Sequence, residues 1–260
     1  MISKPESFKQ AEVLASERKV IYMIKYLFEG LILPERAQLS LTSTLQFKHA
    51  TTGISADSRI SIILNQVAVW VDSNTEWDIF DLRNIVKNIV QNEIAIIGYL
   101  KGHAYEVEIR RVLQTDLGID YVFGIDIPCI TERNKSINHT EKFISLHAKA
   151  MGSEGIFLHR CFNDLMMAMK NPADTGFYCY RAIESLREHC TTKYNINTNN
   201  LSRQWEKLRE VAKCDINTIM FIKEKADPVR HGGYISITSE VREELFLRTW
   251  DVVDAYIENI

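Results

Sequence analysis

The segment Lys223-Glu224-Lys225-Ala226-Asp227-Pro228-Val229-Arg230-His231-Gly232-Gly233 crowds Pro, Arg, His and paired Gly into one turn. An imidazole beside a guanidinium is a pairing that can serve proton transfer or anion recognition. Other common chemistries are missing. The seven histidines form no His-x-x-x-His and no Cys/His cluster at zinc spacing, so no metal and no cofactor are expected. No P-loop, Gly-x-Gly-x-x-Gly or Gly-x-Ser-x-Gly occurs. Ser153, in Gly-Ser-Glu-Gly, reads as a helix start. Cys190 follows His189 directly, and neighbouring side chains on a helix diverge by about 100°, which argues against a Cys–His dyad.

These residues must be positioned by two different kinds of element. In the first half, Gln38–Phe47 and Arg59–Leu64 alternate apolar with polar, the period of half-buried strands. Asn65-Gln66 reads as a tight turn into Val67–Val71, giving a hairpin. Tyr105–Arg110 alternates cleanly, and Tyr121–Pro128 closes the set. One helix interrupts: Leu82, Ile85, Val86, Ile89 and Val90 share a stripe, and Asp78 and Asp81 suit its first turn. A small antiparallel sheet with one helix on its apolar face, over about residues 15–130, is the expectation. The polar stretch Thr131–Asn138 reads as the linker.

The second half is periodic at helical spacing. Ile156, Phe157, Cys161, Phe162, Leu165, Met166 and Met169 form a wide stripe that Asn171-Pro172 stops. Phe177, Tyr180, Ile183 and Leu186 mark a second helix, and Leu201, Trp205, Leu208 and Val211 a third. Asp215 is placed to cap a fourth and Ser239 a fifth, with Pro228 interrupting between them. Met166, Met167 and Met169 are expected to fill core gaps, and Trp205 and Trp250 to be core residues. The fold class is therefore α+β, with an α+β domain at 1–138 and an all-α antiparallel helical bundle at 139–260.

Composition agrees with a globular chain. Of 260 residues, 46% are hydrophobic and 25% charged, and the net charge is −3. Neither half is a basic domain of the kind that lives on phosphate contacts. Residues 181–230 carry 10 basic and 7 acidic groups, a net of +3, and 240–260 carry 2 and 6, a net of −4. Two helices of opposite sign that attract each other explain this most simply. No apolar run reaches the roughly 18 residues that span a bilayer, so no membrane partner is expected. Five cysteines without a C-x-x-C fit a reduced, cytoplasmic protein.

The turn at 227–232, the five-helix count and Tyr180-Arg181-Ala182-Ile183-Glu184-Ser185-Leu186 together resemble the HEPN superfamily, over about residues 153–258. In that family one helix bears a pattern like Arg-Ala-x-Glu-x-Leu, and a later helix ends in Arg-x(4–6)-His. The resemblance implies a metal-independent endoribonuclease, usually a homodimer through the bundle. Its His moves a proton at the 2′-hydroxyl or the leaving oxygen, and its Arg stabilises the phosphorane. Carried over here, the catalytic candidates are His231, Arg230 and Lys225, with Arg181, Glu184 and Asp227 in support. The resemblance also implies RNA or a defence-system protein as partner, in a bacterial phage-defence or toxin-antitoxin setting.

The pattern is degenerate. Four intervening residues before His231 fall on Ala226, five on Lys225 and six on Glu224, so no Arg stands where the motif wants one. Asp227 takes the usual Asn place, and Lys225 lacks the planar fork of Arg. The leading expectation is a two-domain interaction protein with lost catalytic geometry, binding RNA or a protein partner. Its rivals are an active ribonuclease and a purely structural subunit. The plainer reading of the residues makes His231 a helix cap, pairs Arg230 with Glu184 or the acidic last helix, and pairs Arg181 with Glu184.

Overall fold

The computed structural model describes residues 23–49 and 52–260, so the expected domain start near residue 15 lies outside them. It has an N-terminal six-stranded antiparallel sheet followed by a C-terminal helical region. The α+β class is as expected. Two compact units divide the chain, the first holding residues up to 78 and 93–122, the second 79–92 and 123–260.

The sheet contains β1 (Ile24–Leu33), β2 (Leu41–Lys48), β3 (Ser55–Ile63), β4 (Gln66–Ser73), β5 (Glu106–Gln114) and β6 (Ile119–Val122), in the order β2-β3-β4-β1-β5-β6. The central strand, β1, is missing from the sequence reading. Its alternation is broken by a register shift between Glu29 and Gly30 against β5. Tyr26 and Phe28 are buried before the shift, and Leu31 and Ile32 consecutively after it. Gly30 is required there, because a Cβ would stand 2.2 Å from the Glu108 carbonyl oxygen.

The β3–β4 hairpin turns one residue earlier than expected, on Leu64 and Asn65, with φ of 47° and 69°. These are the left-handed values of a tight two-residue hairpin. Asn65 is buried and ties the turn to a neighbouring loop. Its Oδ1 accepts from the Leu39 amide at 2.6 Å, and its Nδ2 donates to the Ile32 carbonyl at 3.2 Å. At the other edge, β6 stops at Val122 rather than at Pro128, which instead opens a helix.

Helix α1 (Ile79–Lys101) buries Leu82, Val86, Val90 and Ile94. Its first fourteen residues group with the second unit and the rest with the first, so it is not confined to the sheet domain.

The second unit continues with α2 (Pro128–Arg133), α3 (His139–Lys149), α4 (Gly155–Lys170), α5 (Thr175–Lys193), α6 (Leu201–Ala212), α7 (Ile216–Arg230) and α8 (Ser239–Glu258). Part of the expected linker is therefore helical, since α2 covers 131–133. Helix α3 went unread because none of its residues is buried, so no stripe marks it. Asn171 ends α4, and the Asp215 carboxylate caps α7 by accepting from the Asn217 amide. The cap of α8 is Thr238 rather than Ser239. Pro228 lies inside α7, which runs on two residues to Arg230.

Up-and-down order describes α4 and α5, where Thr175 meets Ala168 and Arg181 meets Asp164. Helix α8 instead runs parallel to α5: Arg242 bonds Thr175 near the start of both helices, and Tyr256 bonds His189 near their ends. The core gathers Leu158, Cys161, Ile183, Leu186, Phe246 and Tyr256 among others. Met166 and Met167 are exposed, contrary to the core role expected of them, and Met169 packs partly buried against the core. Trp205 and Trp250 also pack partly buried against it.

Candidate functional site

The residues singled out from the sequence lie on α5 and α7. The two backbones approach closely: a Cβ on Gly176 would stand 2.7 Å from the Lys225 carbonyl oxygen. A turn further along, Arg230 reaches back to α5. Its Nη2 donates to Glu184 Oε1 at 3.4 Å and its Nη1 to Asp227 Oδ1 at 3.2 Å. The guanidinium carbon lies 5.1 Å from the centroid of the Tyr180 ring.

Tyr180 stacks in turn on Trp205, with centroids 5.9 Å apart and planes inclined by 21°. The Arg187 guanidinium lies 5.2 Å from the Trp205 centroid. The result is a ladder of cation, ring, ring and cation, in which Arg187 is paired with Glu188. Burial, with Glu184 adding and Arg230 opposing, pushes the Tyr180 hydroxyl up to about 12. It stays a protonated phenol and is no general base at neutral pH.

The remaining candidates are held differently. Arg181 pairs with Asp164 at 3.3 Å rather than with Glu184. Burial raises the Asp164 carboxyl, and Arg181 and Arg160 oppose that rise. Both Asp164 and Arg181 line an open groove of ≈ 560 Å³ between α4 and α5. Asp227 feels partial burial most strongly, which raises it. Hydrogen bonds and charge from Lys223 and Arg230 outweigh this and hold it below the usual carboxylate range.

Lys225 pairs with Glu224 at 2.9 Å and lies 5.8 Å from the Phe221 ring centroid. Five residues separate it from Arg230, which puts the two about 140° apart around the helix. They are not brought together. His231 is the C-cap of α7; its backbone N–H donates to the carbonyls of Asp227 and Val229. Its ring is exposed and makes no hydrogen bond or ion pair among the described residues.

Ala226, where the motif wants its arginine, is 0% exposed and belongs to the helical core. The arrangement therefore offers an imidazole at a helix end with neighbouring guanidiniums already engaged by carboxylates. The sequence reading missed Trp205 as the platform beneath Tyr180 and Asp164 as the partner of Arg181. Tyr180, Glu184 and Arg187 lie at turn-related spacing on one helix, the only local signal for the ladder. Among the described residues no three His, Cys, Asp or Glu side chains gather as metal ligands. No helix among them is long and apolar enough to cross a membrane.

Two family models match the chain. Residues 26–123 match the N-terminal domain of the domain of unknown function DUF8168, and residues 143–260 match its C-terminal domain. The DUF8168 N-terminal match takes in the sheet from within β1 to the end of β6. The DUF8168 C-terminal match takes in the ladder, the Arg230 ion pairs and His231. No curated protein and no solved structure matches the chain.

Proposed function

We propose that the chain is a two-domain interaction protein whose HEPN-like corner serves structure rather than catalysis, and that its partner is a protein rather than RNA. The observation that carries this reading is the burial of Ala226. Of the three positions the motif allows for its guanidinium, 226 is a core position with Ala226 fully buried, and the other two carry Lys225 and Glu224. The nearby arginines support it. Arg230 is held by Glu184 and Asp227, Arg181 by Asp164 and Arg187 by Glu188, so each would have to break an ion pair to bind phosphate. The net charge of −3 argues the same way.

The second reading, a metal-independent ribonuclease, is favoured by one feature: the exposed His231 ring beside Arg230. Titrating labelled single-stranded RNA with the full chain at about 50 and 200 mM salt tests the proposal. The expected result is no binding at either salt concentration. Affinity that falls steeply with salt, and that is lost in Arg230→Ala, would overturn it.

A further inference from the structure

Helix α3 is fastened to α8 and the chain end by its lysines. Lys142 Nζ lies 3.7 Å from Asp254 Oδ1 and 3.6 Å from Glu258 Oε1. Two turns on, Lys149 Nζ donates to the Ile257 and Ile260 carbonyls. Leu146 is the α3 side chain that packs, partly buried, against the apolar core. Folded interiors are close-packed, with few voids larger than a water molecule. Between α3, α4 and α8, by contrast, lies a pocket of ≈ 340 Å³. Leu146, Phe162, Leu165, Met169, Trp250 and Val253 line it, and the polar side chains along it are Asn134, His139, Lys142 and Asp254.

We infer that this pocket binds a small uncharged aromatic molecule of about two fused rings. Its volume sets the size. An apolar cavity of about 150 Å³ takes up one benzene ring, and this pocket is rather more than twice as large. It falls at the lower end of the roughly 300–1,000 Å³ of small-molecule sites. The lining sets the chemistry. The rings of Phe162 and Trp250 offer faces and edges to a further ring, and the thioethers of Met166 and Met169 favour an aromatic neighbour.

The ion pairs set the charge. Lys142 is shared by Asp254 and Glu258, and Arg133 by Asp251 and Asp254. An anion would meet three carboxylates that already hold these cations, and an organic cation would have to displace one of them. An uncharged ligand disturbs neither pair. The inference does not rest on the reading of the Arg230 corner.

Methyl NMR of the full chain labelled with ¹³C at its methionine methyls, titrated with indole, tests the inference. Indole is expected to shift Met166 and Met169 with a Kd on the order of 0.1–1 mM. Met220, exposed on α7 and outside the lining, is expected not to shift. Indole-3-carboxylate, which adds a negative charge, and cyclooctanol, of similar bulk but without a ring system of π electrons, are each expected to bind at least 5-fold more weakly. Leu146→Trp fills the pocket from a helix that buries none of its residues, and is expected to lose the indole shifts while its thermal melt stays unchanged. No shift up to about 5 mM indole, a shift of Met220 equal to those of Met166 and Met169, or equal binding of either comparison probe would overturn it. So would indole binding that survives unchanged in Leu146→Trp.

Discussion

The Arg230 guanidinium lies 5.1 Å from the centroid of the Tyr180 ring while bonding Glu184 on the same helix as that ring. One side chain thus ties the end of α7 to the middle of α5 by a ring contact and an ion pair together. Replacing it should be read in stability. Arg230→Ala is expected to cost about 1 kcal/mol, a modest figure because the side chain is 30% exposed and solvent screens the pair. Glu184→Gln should cost less, since the ring contact survives. Urea midpoints of the three proteins check this order, and a neutral Arg230→Ala would contradict it.

Restoring the motif's arginine should fail. Ala226→Arg forces a long charged side chain into a packed position with no acidic partner provided. The expected cost is about 3 kcal/mol or more, from overpacking and charge burial together. Denaturant unfolding of the variant checks it. A stable Ala226→Arg protein would mean that α5 and α7 separate more readily than their close approach at Gly176 allows.

Asn65 offers a test in the sheet. It holds φ of 69°, is buried, and bonds the end of β1 and the loop after it through the two ends of its amide. Asn65→Ala is expected to cost about 2–4 kcal/mol through unpaired buried groups and backbone strain. Asn65→Gly, which tolerates that φ, should recover only the strain component. Equal losses in the two variants would show that the hydrogen bonds carry all of the effect.

Acid sensitivity should trace in part to His189. Its Nδ1 lies 2.7 Å from the Tyr256 hydroxyl in the helical core. Burial first, then Lys193, lowers its pKa from the usual 6.5, and Glu154 opposes them. Since the folded-state value lies below the unfolded one, the unfolded chain takes up the proton first. The contribution to stability is therefore full above about pH 6.5 and is lost as pH falls through that value towards the folded pKa. His189→Gln, which keeps a polar partner for Tyr256 and does not titrate, should flatten the stability–pH curve in that window. An unchanged slope would assign the acid sensitivity to other groups.

How far these features were legible depended on whether the deciding contact was local. Strands β2 to β5 could be read because their two faces differ and their side chains alternate. Strand β1 could not, because the shift at Gly30 resets the alternation and buries Leu31 and Ile32 together. Helix α3 turns Lys142, Leu146 and Lys149 inward, only partly buried and mostly lysine, so apolar periodicity had little to report. At the corner, the absence of an arginine at 226 was visible in the sequence, but that Ala226 is a core residue was not. Spacing along α5 suggested Glu184 for Arg181. Glu184 pairs instead with Arg230, one of the two partners expected for that arginine, while Asp164, the partner of Arg181, comes from a neighbouring helix and a count of residues cannot find it.

The most direct measurement is an end-group analysis of RNA incubated with the purified full chain in excess chelator, beside His231→Ala. The account predicts that wild type and variant leave the RNA equally intact. Fragments with cyclic phosphate ends that appear with wild type and vanish with His231→Ala would contradict it and make His231 a catalytic residue.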